Sequence, residues 1–365
     1  MSILFTPTRL GTLDVANRFV RSATGEGMCE ADGAVTAALV DVYRALAVGG
    51  TGLIVTGHSF VRADGKAGAG MTGVHSDAML PGLSALVGAV HETSAKVVCQ
   101  LNHAGRQTQP EAIGGATPVA PSAVTNPANC VTPRELEAEE IEPLIEAYVD
   151  AAERCRRAGF DGVQLHCAHG YLMSEFISPH TNRRDDEWGG SVAARARFPL
   201  EVLRRIRSRL GREFPVLVKL NAEDFIAGGL ILEESCAIGG LLEAEGIDAI
   251  EISAGMAETV ERIMRKDITT EEQEAYFLPY ARAFRQHVSV PLLCVAGLRS
   301  LAVMEQVVEG GAADMVSLCR PLIREPDLPA KFAAGSSRRA TCISCNQCVR
   351  GPGKRLGCAL DQTVA

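Results

Sequence analysis

No run of apolar residues in this chain approaches a membrane span, which needs about 20 in succession, so a helical anchor is not expected. The N-terminus MSILFTPTRLG lacks the charged, then apolar, then small layout of a secretory leader. Lys and Arg nowhere form a run, and the net charge is −8; the attraction that drives nonspecific nucleic-acid binding is therefore missing. These absences lead us to expect a cytoplasmic protein that has neither a membrane nor a nucleic acid as partner. There is also no Gly-x-Gly-x-x-Gly after the first candidate strand, which argues against a doubly wound dinucleotide-binding sheet. What is present is 365 residues, 47% hydrophobic and 22% charged, enough for one large core or two moderate ones.

Of the twelve cysteines, eight stand singly in apolar surroundings, such as Cys99 in KVVCQL and Cys294 in PLLCVAG. They read as small core hydrophobes in a reducing compartment. The other four, Cys342, Cys345, Cys348 and Cys358, crowd the stretch CISCNQCVRGPGKRLGC near the C-terminus. Two successive C-x2-C steps are improbable by chance and make these thiols candidate metal ligands. Structural zinc, tetrahedral and redox-silent, suits four thiolates.

Eight short apolar or β-branched runs recur: NRFVRSA (17–23), GLIVTG (52–57), KVVCQL (96–101), DGVQLH (161–166), PVLVKL (215–220), DAIEIS (248–253), PLLCVAG (291–297) and DMVSLC (314–319). Between them, segments such as VTAALVDVYRALAVGG and ELEAEEIEPLIEAYVDAAERCRRAGF repeat apolar residues at three and four positions and close on Gly, as helices with C-caps do. Strands apolar at nearly every position fit a parallel sheet covered by helices. Eight such units predict an α/β fold, a (β/α)8 TIM barrel. The turn-rich LFTPTRLGTLDVAN predicts an N-terminal hairpin plugging the barrel bottom, and KFAAGSSRRA (331–340) a short linker. The chain thus divides into a barrel, 1–335, and a short Cys-rich C-terminal extension, 336–365. The third connection, HAGRQTQPEAIGGATPVAPSAVTNPANCVTPREL, is long and rich in Gly and Pro, the mark of a lid or binding segment.

Barrel active sites lie where the strands end. The fourth run ends in LHCAHGYLMSEF, which puts His166, His169 and Tyr171 in one short connection. Paired donors can polarise a carbonyl oxygen while a phenol moves a proton. Metal binding is the alternative, but no Asp or Glu stands at a convincing ligand spacing. A single strand-end histidine is more often a hydrogen-bonded structural residue. Gln100, at the third strand end, can read a planar heterocycle of alternating N–H and C=O groups, and Lys219, near the fifth, can place a cation against an electron-accepting ring. Taken singly, each is more often a core-edge hydrogen bond or a surface charge. AGLRSL and SLCRPL follow the last two strands, where barrels build phosphate sites. Gly297 permits close backbone approach, and Arg299 and Arg320 supply charge.

These residues carry a resemblance to the old yellow enzyme family of FMN-dependent oxidoreductases. The matching stretches are LFTPTRLGTLDVANRFVRSAT, QLNHAGRQ, TPVAPSAV, GFDGVQLHCAHGYLMSEFISPHTNRRDDEWGGSVAARARF and ADMVSLCRPLIREPDL. The resemblance implies that Gln100 binds the pyrimidine edge of FMN and that Lys219 neutralises charge near N1. Gly297, Cys319 and Arg320 would hold the phosphate. It implies that His166 and His169 bind a substrate carbonyl oxygen, that Tyr171 donates the proton, and that NAD(P)H supplies hydride through flavin N5 to the β-carbon of an α,β-unsaturated carbonyl compound, an enone or thioester. Three positions depart from the family pattern. Ala23-Thr24-Gly25 stands where a Pro-Met-Cys or Pro-Leu-Thr sequence is common, so Gly25 replaces the side chain that tunes the flavin. His58 replaces a small residue, either touching the flavin or turning aside, and Cys319 replaces a Gly.

NRFVRSAT together with CISCNQC resembles the branch of 2,4-dienoyl-CoA reductase and trimethylamine dehydrogenase. That likeness implies a [4Fe-4S] cluster on Cys342, Cys345, Cys348 and Cys358, with zinc as the alternative. In that branch the chain continues into an FAD- and nucleotide-binding region, so a relay here implies a separate redox partner. The alternative activity is an oxidative dehydrogenase or demethylase, or an electron-transfer subunit, passing electrons through the cluster. A homo-oligomer is a family-level expectation.

Overall fold

The structure, a computed structural model, describes residues 2–349 and 351–362; Arg350 and the last three residues of the predicted extension lie outside them. Eight parallel strands form the centre: β1 (Phe19–Arg21), β2 (Leu53–Val55), β3 (Lys96–Asn102), β4 (Gly162–Cys167), β5 (Val216–Asn221), β6 (Ala249–Ser253), β7 (Leu292–Val295) and β8 (Met315–Leu318). Each pairs in parallel with the next, and β8 pairs with β1, so the sheet closes. All eight predicted runs hold one of these strands, to within one residue at the ends of β3, β4 and β5. Around them lie α1 (Ala37–Val48), α2 (Leu80–His91), α3 (Ala138–Ala158), α4 (Val192–Leu210), α5 (Leu232–Ala244), α6 (Leu278–Phe284), α7 (Leu301–Glu309) and α8 (Leu328–Ala333). The fold is a (β/α)8 barrel.

Helix α3 shows how the sequence sets these elements. The Glu140 carboxylate accepts the Glu137 N–H at 2.8 Å and closes the first turn, while Gly159 at φ +95° ends the helix in a conformation that glycine adopts without strain. Its stripe of Ile141, Leu144, Ile145, Tyr148 and Ala152 is fully buried, the spacing of an amphipathic helix facing a core.

Inside the barrel the inward positions fall in two kinds. Near the bottom, Val20, Leu53, Val98, Leu217, Ala249, Leu293 and Met315 form one apolar cluster, closed from below by Leu10, Leu13 and Val15. Those last three belong to the predicted hairpin, Thr8–Leu10 against Leu13–Val15. Two residues further along several strands the inward position is polar: Ser22, Gln100, Lys219, Glu251 and Ser317, all buried. Because side chains alternate with period two, one step up each strand turns a dry plug into a polar floor.

Two expectations need correction. The predicted linker 331–340 begins as the end of α8, and its far end is fastened by Leu301 N–H to Arg338 O at 2.9 Å and Ala340 N–H to Arg299 O at 2.9 Å. Of the eight single cysteines, six are buried, but Cys130 is exposed on the third connection and Cys319 is half-exposed. Local apolar neighbours in sequence do not fix burial where the chain leaves a strand or enters a loop. No described helix is long and apolar enough to cross a membrane.

Candidate active site

A cavity of about 440 Å³ opens at the C-terminal ends of the strands, a volume within the range of small-molecule sites. All twelve residues singled out for catalysis or cofactor binding line it: Ala23, Thr24, Gly25, His58, Gln100, His166, His169, Tyr171, Lys219, Gly297, Cys319 and Arg320. They come from seven strand ends and their loops, so only the closed barrel brings them together.

The floor is one hydrogen-bonded chain. Gln100 donates its amide to Gln164 Oε1 at 2.7 Å, and Gln164 donates to Glu251 Oε2 at 2.9 Å. Ser22 donates to Glu251 Oε1 at 2.7 Å, and Lys219 Nζ donates to Ser22 Oγ at 2.9 Å. Lys219 also lies 3.3 Å from Glu251 Oε2, both side chains being buried. The cation therefore has its counter-charge directly beneath the cavity.

One wall groups two imidazoles and a phenol. His166 and His169 stand edge to face at 5.2 Å, and the Tyr171 ring is 4.9 Å from His166 and 5.0 Å from His58. His169 sits at φ +65°, a conformation uncommon for non-glycine residues and typical of functional positions. It is held there by Asn221 Oδ1, 3.2 Å from its N–H, and by Gln107, which donates to its carbonyl at 2.5 Å. Its Nε2 meets Ser253 Oγ at 2.6 Å. His58 Nδ1 lies 2.9 Å from Asn102 Nδ2, and a Cβ at Gly25 would stand 3.5 Å from His58 Nε2. Two of the three departures from the family pattern thus face each other, the imidazole lying in the direction a side chain at 25 would point.

Burial, reinforced by the fields of His169, Lys219 and His58, holds His166 well below the usual histidine range. Burial together with Lys219 and His58 lowers His169 to about 3. Both imidazoles are neutral near pH 7, each carrying one N–H. The folded protein refuses protons that the unfolded chain accepts, so stability is drawn down as pH falls below the unfolded value of about 6.5 and is steady above it. We expect the ring resonances of both histidines to stay flat from pH 8 to pH 5 in NMR titrations. An inflection near pH 6.5 would contradict this assignment.

At the far end, Gly297 at φ +74°, Leu298, Cys319, Arg320 and Ser344 line the cavity. Cys319 Sγ lies 3.0 Å from Thr24 Oγ1. Arg320 donates through Nη1 to Arg265 O at 2.8 Å, to Ser344 O at 3.3 Å and to Asn346 Oδ1. Arg299 also lines the cavity, its N–H on Glu274 Oε2 at 2.7 Å and its guanidinium on the carbonyls of Ile268 and Ala340.

The NADH:flavin oxidoreductase / NADH oxidase family matches residues 3–338. The chain belongs to this family. It is 38% identical over 366 residues to an NADH oxidase of Thermoanaerobacter brockii, a match covering 98% of this chain and 56% of that protein. Among solved structures, 2-naphthoyl-CoA reductase in complex with 2-naphthoyl-CoA superposes with a TM-score of 0.88 at 32% identity, over 94% of this chain and 54% of that one. The old yellow enzyme homologue of Zymomonas mobilis gives a TM-score of 0.80 at 29% identity, over 93% of this chain and 95% of that one. The chain therefore spans about half of the first two proteins and nearly all of the third.

Within this family barrel, sequence reasoning missed Ser22, Gln107, Ser253, Ser317 and Ser344 on the cavity surface and Gln164 and Glu251 beneath it. Ala257, Val260, Ile263 and Met264, from the segment after β6, form an apolar side of the cavity.

The four tail cysteines are the point of disagreement. Among the described residues no three His, Cys, Asp or Glu side chains are grouped to hold a metal ion. Cys342 is buried, while Cys345, Cys348 and Cys358 are half-buried free thiols. Cys348 and Cys358 are register partners across a short antiparallel ladder. Motif spacing in sequence carries no information on whether four thiols converge, and the [4Fe-4S] and zinc expectations find no support here.

Proposed function

We propose that the chain is an FMN-dependent ene-reductase that takes hydride from NAD(P)H and reduces the C=C bond of α,β-unsaturated carbonyl compounds. The observation that carries this reading is the meeting of His166, His169 and Tyr171 on one wall above the Gln100–Lys219 floor. FMN, when bound, supplies hydride acceptance from a nicotinamide and hydride donation to an electrophilic carbon.

The residues fit that cofactor. His166 Nδ1 and Ser317 Oγ, both on the cavity surface, are buried and lack a partner among the described residues, a cost that a bound ligand's polar groups would relieve. Gln100 has committed its amide N–H to Gln164, which leaves its carbonyl to accept from a ring N–H. Lys219 places positive charge against the ring, and Gly297, Cys319 and Arg320 hold the phosphate. Residues 1–335 form the FMN-binding unit in this reading, with His58 taking the place of a side chain at Gly25 in tuning the ring.

The two neutral imidazoles donate to the substrate carbonyl oxygen, where negative charge grows as the β-carbon receives hydride. Tyr171 then gives its proton to the α-carbon. A substrate in which C=C is conjugated to a ring ketone or a thioester suits this wall, and the match to a reductase bound to 2-naphthoyl-CoA supports the thioester class.

Label tracing tests the path. With nicotinamide carrying deuterium at the transferable position in ordinary water, we expect product labelled at the β-carbon and unlabelled at the α-carbon. Label at the α-carbon, or no product with any enone or enoyl thioester, would defeat the reading.

A further inference from the structure

One arginine outside the cavity ties together the loops that build it. Arg106, on the third connection, is 1% exposed. Its Nη2 donates to Glu258 Oε1 at 2.5 Å, and its Nη1 donates to the carbonyls of Thr125 at 3.0 Å and Val124 at 3.3 Å. Its backbone N–H donates to Glu175 Oε1 at 2.9 Å. Glu175 lies in the short helix Leu172–Ile177 and gives its own N–H to the Tyr171 carbonyl at 2.8 Å. The next residue after Arg106, Gln107, is the one that holds the His169 carbonyl. A single cation thus meets the third connection, the helix that starts at Tyr171 and the segment after β6.

The segment after β6 leaves the site at Met256, whose backbone bridges to that of His169, and two residues further on Glu258 reaches Arg106. Ala257, Val260, Ile263 and Met264 face the cavity, although Val260 is 44% and Met264 37% exposed. Apolar side chains left open at a cavity mouth suit an apolar substrate laid against them. Thr259 Oγ1 donates to Asp224 O at 3.0 Å, and the Arg262 guanidinium lies 4.6 Å over the Phe225 ring; both contacts hold the segment to the loop after β5. The ion pair it makes toward the imidazole and phenol wall is Arg106–Glu258.

Burial pushes Glu175 up to about 8 against the opposing field of Arg106. The charge that answers Arg106 near pH 7 therefore comes from Glu258. Arg106 Nε, Glu175 Oε2 and Glu258 Oε2 are buried with no partner among the described residues. A buried ion cluster left partly unpaired adds little to stability. What it fixes is where three loops stand.

We propose that Arg106 and Glu258 are positioning residues: their pair holds the apolar side formed by residues 257–264 at a set distance from His166, His169 and Tyr171, and so selects substrates by width. The kinetic part of this rests on the ene-reductase reading, and the part that concerns the segment does not.

The test uses the FMN-loaded chain and Glu258→Gln, which keeps the shape of the side chain and removes its charge. Hydrogen exchange read by mass spectrometry should show peptides covering 256–267 exchanging about tenfold faster in the variant, a local opening, with those of β4 and β5 unchanged. KM for a narrow cyclic enone should rise by about tenfold while kcat holds, the pattern of lost binding rather than lost chemistry. KM for an enone carrying a fused aromatic ring should rise less. Glu261→Gln, which changes an exposed carboxylate three residues on, should match the parent in both measurements. Unchanged exchange at 256–267 would overturn the proposal, as would an equal KM rise for both enones or a fall in kcat at unchanged KM. Faster exchange in the variant of a chain that reduces no enone would defeat the ene-reductase reading while supporting the clamp.

Discussion

Tyr171→Phe should slow reduction of an enone by about 10²- to 10⁴-fold, the span of a positioned general acid, and leave reduction of the bound flavin by NAD(P)H near the wild-type rate. The substitution removes only a hydroxyl. The ring that packs 4.9 Å from His166 and 5.0 Å from His58 stays in place, as does the backbone at the start of the short helix Leu172–Ile177. In the proposed mechanism carbonyl polarisation belongs to His166 and His169 and is untouched, so KM should move little while kcat falls. Stopped-flow measurement of each half-reaction separates the two steps. Equal losses in both would assign Tyr171 to cofactor binding, and no loss on several enones would remove it from the mechanism.

Glu251→Gln should be the most damaging conservative change in the barrel. Glu251 is fully buried and accepts from Ser22, Gln164 and Lys219. An amide carries no charge and presents a donor to at least one of those donors, leaving the Lys219 cation buried without its partner. Breaking a buried pair in this way costs about 3–5 kcal/mol, readable as a lower midpoint in urea at unchanged slope. The uncompensated cation should also raise the potential of a bound flavin, because a reduced ring carrying negative charge is stabilised beside it. Lys219→Met should lower the potential, and the double variant should recover stability relative to Glu251→Gln, since the two residues act as a pair. A Glu251→Gln protein of wild-type stability and potential would refute the floor's electrostatic role.

Much of this site was legible because barrel chemistry collects at strand ends, so reading the last two residues of each apolar run picked out Gln100, His166, Lys219 and Cys319 without knowledge of packing. Glu251 and Gln164 lie inside the runs DAIEIS and DGVQLH, where a polar residue reads as a defect in an apolar strand. The signal was the period-two step: Gln164 is two residues before His166 and Glu251 two before Ser253, and all four turn inward. Gln107 and Ser344 were beyond reach, because they are delivered by a long loop and by the tail, whose docking depends on contacts distant in sequence. The cysteine tail, whose metal expectation is without support, is the opposite case. Its spacing is specific, but spacing sets which residues are near in the chain, whereas a metal needs thiols grouped at one point, and no such group stands among the described residues.

The most direct measurement is the oxidative half-reaction without oxygen. The FMN-loaded chain, reduced with one equivalent of NAD(P)H, is mixed with a cyclic enone or an enoyl thioester while flavin absorbance is followed. The account predicts reoxidation at a rate that rises and saturates with substrate, with one saturated carbonyl product formed per flavin. Flavin that stays reduced with every such substrate, yet is bleached in the oxidised form by a saturated compound or amine without NAD(P)H, would contradict it.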